Sequence, residues 1–119
     1  MLIKHVRNVT IEPVDVGTGT RRQILIGPEE APNFAMRRFI IDPGGSMPMH
    51  TNTVEHEQYV LHGRAELTID GEVYEVSADD VVFISAGTPH SYRVTGGEPF
   101  EFLCVVPNKP DTMEILGDR

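Results

Sequence analysis

The sequence is poor in several residue types, and each shortage limits what the protein can be. Its 119 residues include one cysteine, Cys104, and no tryptophan. A single cysteine excludes an internal disulfide bond and is typical of a reducing compartment. Ten lysine and arginine residues stand against 18 aspartate and glutamate residues, so the net charge is −8. Because nucleic acids and anionic membrane surfaces attract basic proteins, neither is an expected partner.

Long hydrophobic runs are also absent from the sequence. No stretch approaches the roughly 18 apolar residues of a transmembrane helix, and the first residues do not form the apolar core of a signal peptide. We therefore expect a cytoplasmic protein. A chain of this length is expected to form one domain, covering residues 1–119.

Glycine and proline, in contrast, are frequent and divide the chain into short segments. Eleven glycines and nine prolines separate segments rich in valine, isoleucine, phenylalanine and tyrosine, which is typical of an all-β protein. The Asp70-Gly71 pair predicts a type I′ hairpin turn, and residues 62–64 predict a second tight turn. A single antiparallel barrel or sandwich follows. Its predicted strands lie at residues 3–6, 22–26, 34–41, 56–61, 65–69, 72–76, 81–84, 91–94 and 100–106.

The two ends of this pattern carry further expectations. The first strand, at residues 3–6, lies in an apolar N-terminal segment (residues 1–9) remote from the other motifs. Because exposed edge strands recruit partners, we expect this segment to pair with a second subunit in a homodimer. Residues 111–116 predict one helical turn or a frayed end.

Three of the five histidines lie at strand starts or in the turns just before them, beside stretches rich in glycine and proline. His50 follows residues 43–48, His56 opens the next strand, and His90 follows residues 87–89. Side chains at such positions can meet at one mouth of a barrel. Since neutral imidazoles bind transition-metal ions, we predict a divalent metal site there.

The other two histidines do not fit this site. His62 lies six residues beyond His56, roughly 20 Å along the same strand at about 3.3 Å per residue. His5 has no second ligand residue beside it. We interpret both as surface or packing residues.

The segment from Gly44 to Gly63 resembles the first motif of the cupin superfamily. That motif runs glycine, five residues, His-x-His, three or four residues, glutamate, six residues and glycine. Both glycines and His50 are in register. Asn52 stands at the position of the second histidine, and His56 stands at the position of the glutamate.

Residues 78–94 resemble the second cupin motif, with Gly87 and His90 in place. Three other usual residues of that motif are replaced in this chain. Two such motifs in the right order within one chain imply a cupin domain. The fold implied by the resemblance is an antiparallel double-stranded β-helix, or jelly-roll barrel.

The stretches Val54–Glu57 and Phe102–Cys104 resemble a small subgroup of single-domain cupins that bind manganese through four histidines. In that subgroup a histidine replaces the motif glutamate, as His56 does here. The resemblance implies that manganese, or alternatively iron, zinc or nickel, is bound by His50, His56 and His90.

Asn52 takes the place of the fourth histidine, and its role stays open. An amide oxygen is a weaker ligand than imidazole for most first-row ions. Asn52 is therefore expected either to bind the metal weakly or to hold a metal-bound water. Alternatively, it caps its own backbone as a turn residue. A ligand set without a carboxylate leaves the full metal charge uncompensated, which favours an anionic ligand.

Glu55 and Glu57 flank His56, and a one-residue slip in the strand would bring a carboxylate to the metal. Such a slip would also turn Tyr59 and Leu61 to the opposite face of the sheet. We therefore expect His56 to face the metal and both glutamates to point away from it.

Four further residues are expected to line the pocket. Phe102 and Cys104 share one face of the last strand, and Met47 lies just before the first motif histidine. Arg37 is favoured over Arg38 as the inward-facing arginine, which must meet a carboxylate or an anionic ligand. Cys104 is not expected to act as a nucleophile, because no histidine is free to activate it.

These residues predict a metal-dependent enzyme with oxygenase-like chemistry on a small anionic or enol-type molecule. The alternative is a non-catalytic module that uses the metal to bind or sense a small molecule. The sequence contains no phosphate-binding loop, nucleotide motif or paired catalytic carboxylates that would favour other chemistry.

Overall fold

A computed structural model describes residues 1–117 of the chain. Within that range the protein has ten β-strands, one short 3-10 turn and no α-helix, and no helix there is long and apolar enough to cross a membrane. The predicted all-β class is confirmed. The 3-10 turn is Val6–Asn8, and the strands are β1 (Glu12–Pro13), β2 (Thr18–Ile26), β3 (Phe34–Asn52), β4 (His56–His62), β5 (Arg64–Ile69), β6 (Glu72–Ser77), β7 (Val81–Ile84), β8 (His90–Thr95), β9 (Phe100–Pro107) and β10 (Met113–Gly117).

The strands pair antiparallel in the order β6-β5-β8-β3-β9-β4-β7, with β2 and β10 also paired to β3. β3 is 19 residues long and belongs to both halves of this curled sheet. Its first part, from Phe34 to Ile41, pairs with β9. Its later part, from Ser46 to His50, pairs with β8. One continuous strand thus joins the two halves of a jelly-roll barrel.

Side chains alternate between the barrel interior and solvent, as the period of two in a strand requires. In β4, His56 and Gln58 are buried whereas Glu57 and Tyr59 are exposed. The orientation expected for His56 and its flanking glutamates is therefore correct. The same alternation in β9 buries Phe100, Phe102, Cys104 and Val106.

The strand predicted at residues 3–6 is absent, which corrects the sequence interpretation. Residues 3–5 have no regular structure, and the 3-10 turn begins at Val6. Its start is capped by His5, whose Nδ1 accepts a hydrogen bond from the Arg7 main-chain N–H. The Gln23 side chain on β2 donates hydrogen bonds to the carbonyl oxygens of Val6 and Val9 at 2.9 and 3.0 Å. These bonds hold the segment on its own barrel. Pairing of this segment with a second subunit stays a prediction.

The helical turn or frayed end expected at residues 111–116 is also wrong. Residues 113–116 belong to β10, which runs antiparallel to β3 with Met113 opposite Asn52 and Ile115 opposite His50. The C-terminal segment therefore returns to the end of β3 that carries the first cupin motif.

Both predicted turns are present. Asp70 and Gly71 have φ values of 50° and 84°, as a type I′ turn requires. Gly63 has φ of 81° and links β4 to β5, strands that pair with different neighbours. A Cβ atom at Gly63 would lie 2.1 Å from the carbonyl oxygen of Pro99, so only glycine fits there.

We expect Gly63→Ala to lower the free energy of unfolding by about 3 kcal/mol or more. The substitution combines a left-handed backbone, which costs roughly 1–2 kcal/mol, with a clash against the main chain of Pro99. Gly71→Ala is the matched control, because its φ is similar and nothing lies within 4 Å of the position that an alanine methyl group would take there. Denaturant titration should give a clearly smaller loss for Gly71→Ala. Equal losses would contradict the close approach of residues 63 and 99.

Candidate metal centre

A cavity of about 150 Å³ lies inside the barrel and is lined by residues from several strands. All eight residues expected at the site line this cavity. They are the predicted ligands His50, Asn52, His56 and His90 and the predicted pocket residues Arg37, Met47, Phe102 and Cys104.

The three histidines form a buried cluster. His50, His56 and His90 have exposed fractions of 2%, 7% and 1%. His50 on β3 lies opposite His90 on β8, and their ring centroids are 4.2 Å apart. The His56 ring, at the start of β4, lies 5.7 Å from that of His90. Three separate strands thus deliver the three imidazoles to one place.

Main-chain carbonyls set the tautomers of two of these rings. His50 Nδ1 lies 2.7 Å from the Pro48 oxygen, and His90 Nδ1 lies 2.9 Å from the Thr88 oxygen. A carbonyl only accepts hydrogen bonds, so Nδ1 carries the proton in each ring. The lone pair of each neutral ring is then on Nε2, as a metal ligand requires.

His56 is held differently. Its Nδ1 lies 3.4 Å from the Cys104 sulfur instead of a carbonyl oxygen. Its Nε2, like that of His90, is buried and has no hydrogen-bond partner among residues 1–117. Buried polar atoms are normally paired, so two orphaned imidazole nitrogens in one cluster indicate a missing partner.

Burial keeps the imidazoles neutral. It lowers the pKa of His56 to about 3, with the Arg37 charge acting in the same direction. Burial also lowers the pKa of His90 to about 4 and moves the pKa of His50 below its ordinary value. Neutral imidazole is the form that binds metals, so no proton must leave these rings at neutral pH.

The donor chemistry of the cluster fits a transition metal, although its present spacing does not form a finished site. Within residues 1–117, no group of three or more His, Cys, Asp or Glu side chains is arranged to hold an ion. The fit lies in the three neutral imidazoles and the two orphaned nitrogens.

Asn52 contacts a residue that the sequence did not reveal. Its Nδ2 donates to Asp111 at 3.2 Å, and its Oδ1 is buried without a hydrogen-bond partner in the described chain. The hydrogen bond of the side chain thus goes to another segment, unlike that of a turn residue capping its own backbone. No local pattern marks Asp111, because it reaches the cavity only through the pairing of β10 with β3.

Arg37 faces the cavity and Arg38 does not, as expected. Arg37 Nη2 donates to the Cys104 sulfur at 3.3 Å, and its guanidinium lies 5.1 Å from the centre of the Phe39 ring. It forms no ion pair with any carboxylate of residues 1–117. Arg38 pairs with Glu101 and donates to Gln23. The cavity therefore contains a positive charge without a carboxylate partner in the described chain.

An aromatic stack forms one wall of the cavity. Phe102 lies between Phe39 and Tyr92, with ring centroids 5.2 and 5.3 Å apart and interplanar angles of 12° and 9°. Gln58 Nε2 donates to the Tyr92 hydroxyl at 2.6 Å. The sequence analysis did not predict Gln58 or Tyr92. Strand alternation could have found both, since each lies two positions after a motif histidine.

Burial raises the pKa of the Cys104 thiol, and the nearby Arg37 charge opposes that rise only partly. Burial likewise raises the pKa of the Tyr92 phenol. A neutral buried thiol is a poor nucleophile, in keeping with the expectation for Cys104. His62 lies outside the cavity, exposed and 2.8 Å from Glu98.

Comparison with known proteins places this geometry in a family. The cupin domain profile (Cupin_2) matches residues 37–106, more than half of the chain. The crystal structure of the polyketide cyclase RemF from Streptomyces resistomycificus superposes with a TM-score of 0.89 and 32% identity, covering 98% of this chain and 85% of that one.

Two curated relatives match shorter parts of longer proteins. Quercetin 2,3-dioxygenase from Bacillus subtilis is 48% identical over 52 residues, or 43% of this chain and 15% of that protein. The 5-nitrosalicylic acid 1,2-dioxygenase from a Bradyrhizobium species is 30% identical over 90 residues, or 76% of this chain and 42% of that protein. The chain thus spans less than half the length of both relatives.

The profile match includes both histidine motifs, and the jelly-roll barrel turns the motif histidines into one cavity. This chain therefore belongs to the cupin domain family.

Proposed function

We propose that this cupin binds a divalent transition metal through His50, His56 and His90 and acts with it on a small enol-type or anionic molecule. The observation that carries the proposal is the burial of three neutral imidazoles in one cavity, two of them with unpaired Nε2 atoms. Leaving a buried polar atom unpaired costs about 1–3 kcal/mol. Coordination to a metal would offset that cost.

The metal proposed first is manganese, on the resemblance to the four-histidine subgroup. Iron, zinc and nickel remain alternatives, because imidazole nitrogens suit these ions as well. All three proposed ligands are neutral, so they leave the whole metal charge to attract an anion. When bound, such a metal supplies positive charge that stabilises an enolate oxygen, and a redox-active metal adds oxygenase-type chemistry.

Two features of the cavity support a small planar ligand. Its volume of about 150 Å³ is below the roughly 300–1,000 Å³ of pockets for drug-sized molecules. Phe39, Phe102 and Tyr92 also line it, and such aromatic side chains favour contact with a conjugated ring or enolate. The names of the relatives, which mention quercetin, a nitrosalicylic acid and polyketides, agree with oxygen-rich ligands of this kind.

The residues around the metal position have separate tasks in this proposal. Arg37 offers its guanidinium to an anionic group of the ligand, because no carboxylate of the described chain neutralises it. Tyr92 accepts a hydrogen bond from Gln58 and keeps its own O–H free to donate. Since its pKa is raised, Tyr92 acts as a hydrogen-bond donor. Met47 and Phe102 exclude water from the same space.

The second candidate is a non-catalytic binding or sensor module, and one observation favours it. Among residues 1–117, Asp111 is the only carboxylate that lines the cavity. Its oxygens accept hydrogen bonds from the Asn52 amide and from the main chain and hydroxyl of Thr53. A carboxylate occupied in this way is a poor general base. Turnover of the ligand, measured with oxygen present and absent, separates the two candidates.

We also propose that the protein is a cytoplasmic homodimer, with the N-terminal segment of residues 1–9 at the subunit contact. The support is the exposure of Met1, Leu2 and Ile3, three apolar residues at one end of the chain. Light scattering at micromolar concentration tests the dimer, and a monomer would contradict it.

Metal binding is expected to depend on the three clustered histidines. The protein is purified without a metal-binding tag, stripped with a chelator and titrated with Mn²⁺ or Zn²⁺ by calorimetry. Replacing His50, His56 or His90 by alanine should weaken binding at least about tenfold. His62→Ala is the control and should bind as the wild type does, because His62 lies outside the cavity beside Glu98. Unchanged binding by all three cluster variants would contradict the proposal.

Arg37 is expected to set the preference for anions without holding the metal. Arg37→Gln should weaken binding of salicylate by about tenfold or more, the loss of a charge-assisted hydrogen bond. The affinity for phenol, which is neutral, should change little. Arg38→Gln is the matched control, because Arg38 is engaged with Glu101 and Gln23. Fluorescence or calorimetric titration that gives equal losses for both variants would show that Arg37 does not contact the anion.

A further inference from the structure

The side chain of Asn52 has two ends with different surroundings. Its Nδ2 lies 3.2 Å from Asp111 Oδ2. Its Oδ1 is buried and lacks a hydrogen-bond partner among residues 1–117. Asn52 is two residues after His50 on β3, so both side chains leave the strand on the same face.

The carboxylate of Asp111 decides which end of the amide faces which way. An ionised carboxylate only accepts hydrogen bonds, so the atom facing Asp111 must be the amide nitrogen. The oxygen is then turned away from Asp111, among the other buried groups of the cavity. An amide oxygen in that position can be satisfied only by a hydrogen-bond donor or a cation.

Asp111 is itself held in place. Its Oδ1 accepts from the Thr53 main-chain N–H at 2.9 Å and from the Thr53 hydroxyl at 3.1 Å. The Thr53 hydroxyl in turn accepts from the Thr112 N–H at 2.9 Å. Pairing of Met113 with Asn52 fixes the following strand. One partner in each of these contacts lies beyond residue 106, where the cupin profile match ends.

We propose that Asp111 is a positioning residue that locks the Asn52 amide with its oxygen towards the histidine cluster, so that the fourth metal ligand is an amide oxygen. This inference rests on the metal binding proposed above. A carboxylate behind the N–H group also draws negative charge onto the oxygen and makes it a better ligand. The C-terminal segment thus orients a ligand that, like the three histidines, comes from one of the two cupin motifs.

A double-mutant cycle tests whether Asp111 acts through Asn52. Mn²⁺ affinity is measured by calorimetry for the wild type, Asp111→Asn, Asn52→Ala and the double variant. In Asp111→Asn the new amide can donate or accept, so Asn52 is free to turn either way. We expect about tenfold weaker binding in the wild-type background and no further loss in the Asn52→Ala background.

The alternatives give different results in the same cycle. If Asp111→Asn weakens binding equally in both backgrounds, Asp111 acts by its charge alone, and the positioning role is wrong. If it weakens binding in neither, the role is also wrong. If none of the four proteins binds Mn²⁺ or Zn²⁺, the proposed function fails together with the ligand role of Asn52.

A second variant and a second readout separate positioning from stability. Thr53→Ala removes the hydroxyl contact with Asp111 but keeps the Thr53 main-chain N–H contact and the Asn52 contact. These two still hold the carboxylate, so the variant should lower stability while metal affinity stays close to that of the wild type. In the metal-free protein, the NMR signals of the Asn52 side-chain NH₂ group should lie outside the usual chemical-shift range of asparagine amides and exchange slowly with water. In Asp111→Asn they should return to the usual chemical shifts and exchange rates. Ordinary Asn52 signals in the wild type would overturn the proposed orientation whether or not the protein binds metal.

Discussion

Burial of three imidazoles in one cavity is the constraint on which the rest of the site depends. A buried imidazole stays neutral, and a neutral imidazole presents one lone pair and one N–H group. The carbonyl oxygens of Pro48 and Thr88 take the N–H groups of His50 and His90. The Nε2 atoms of His56 and His90 are left without hydrogen-bond partners among residues 1–117, which only a hydrogen-bond donor or a metal can correct.

β3 organises the other groups around this cluster. It runs through both halves of the barrel and carries Arg37 near one end and Met47, His50 and Asn52 near the other. β9 places Cys104 opposite Arg37 and Phe102 opposite Phe39. The segment that leads into β10 returns Asp111 to Asn52. A positive group, an aromatic wall and the imidazole cluster therefore share one small space. That combination is the basis on which we propose a planar anion or enolate as the ligand.

Much of this site could be predicted from the sequence, because its main features follow from strand alternation. A one-residue slip in β4 would have moved Tyr59 and Leu61 to the opposite face of the sheet, and on that ground His56, not a glutamate, was expected to face inward. The same period of two allowed only one of Arg37 and Arg38 to face inward, and Arg37 was the one favoured. Gln58 and Tyr92 were missed although they share faces with His56 and His90, so the same rule could have found them.

The errors lie where long-range contacts override local pattern. Residues 3–6 have strand-forming side chains, yet Gln23 holds the neighbouring turn by two hydrogen bonds. Residues 111–116 carry no strong strand signal, yet pairing with β3 makes most of them β10. Asp111 depends on that pairing and so had no signature in its own neighbourhood. Such contacts between distant segments are set by the assembled barrel.

The central claim is that the three imidazoles share one metal ion, and anomalous diffraction from crystals soaked in Mn²⁺ tests it most directly. The account predicts one strong anomalous peak roughly 2.0–2.3 Å from the Nε2 atoms of His50, His56 and His90. A peak beside His62 and Glu98 instead, or none in the barrel at saturating Mn²⁺, would contradict it.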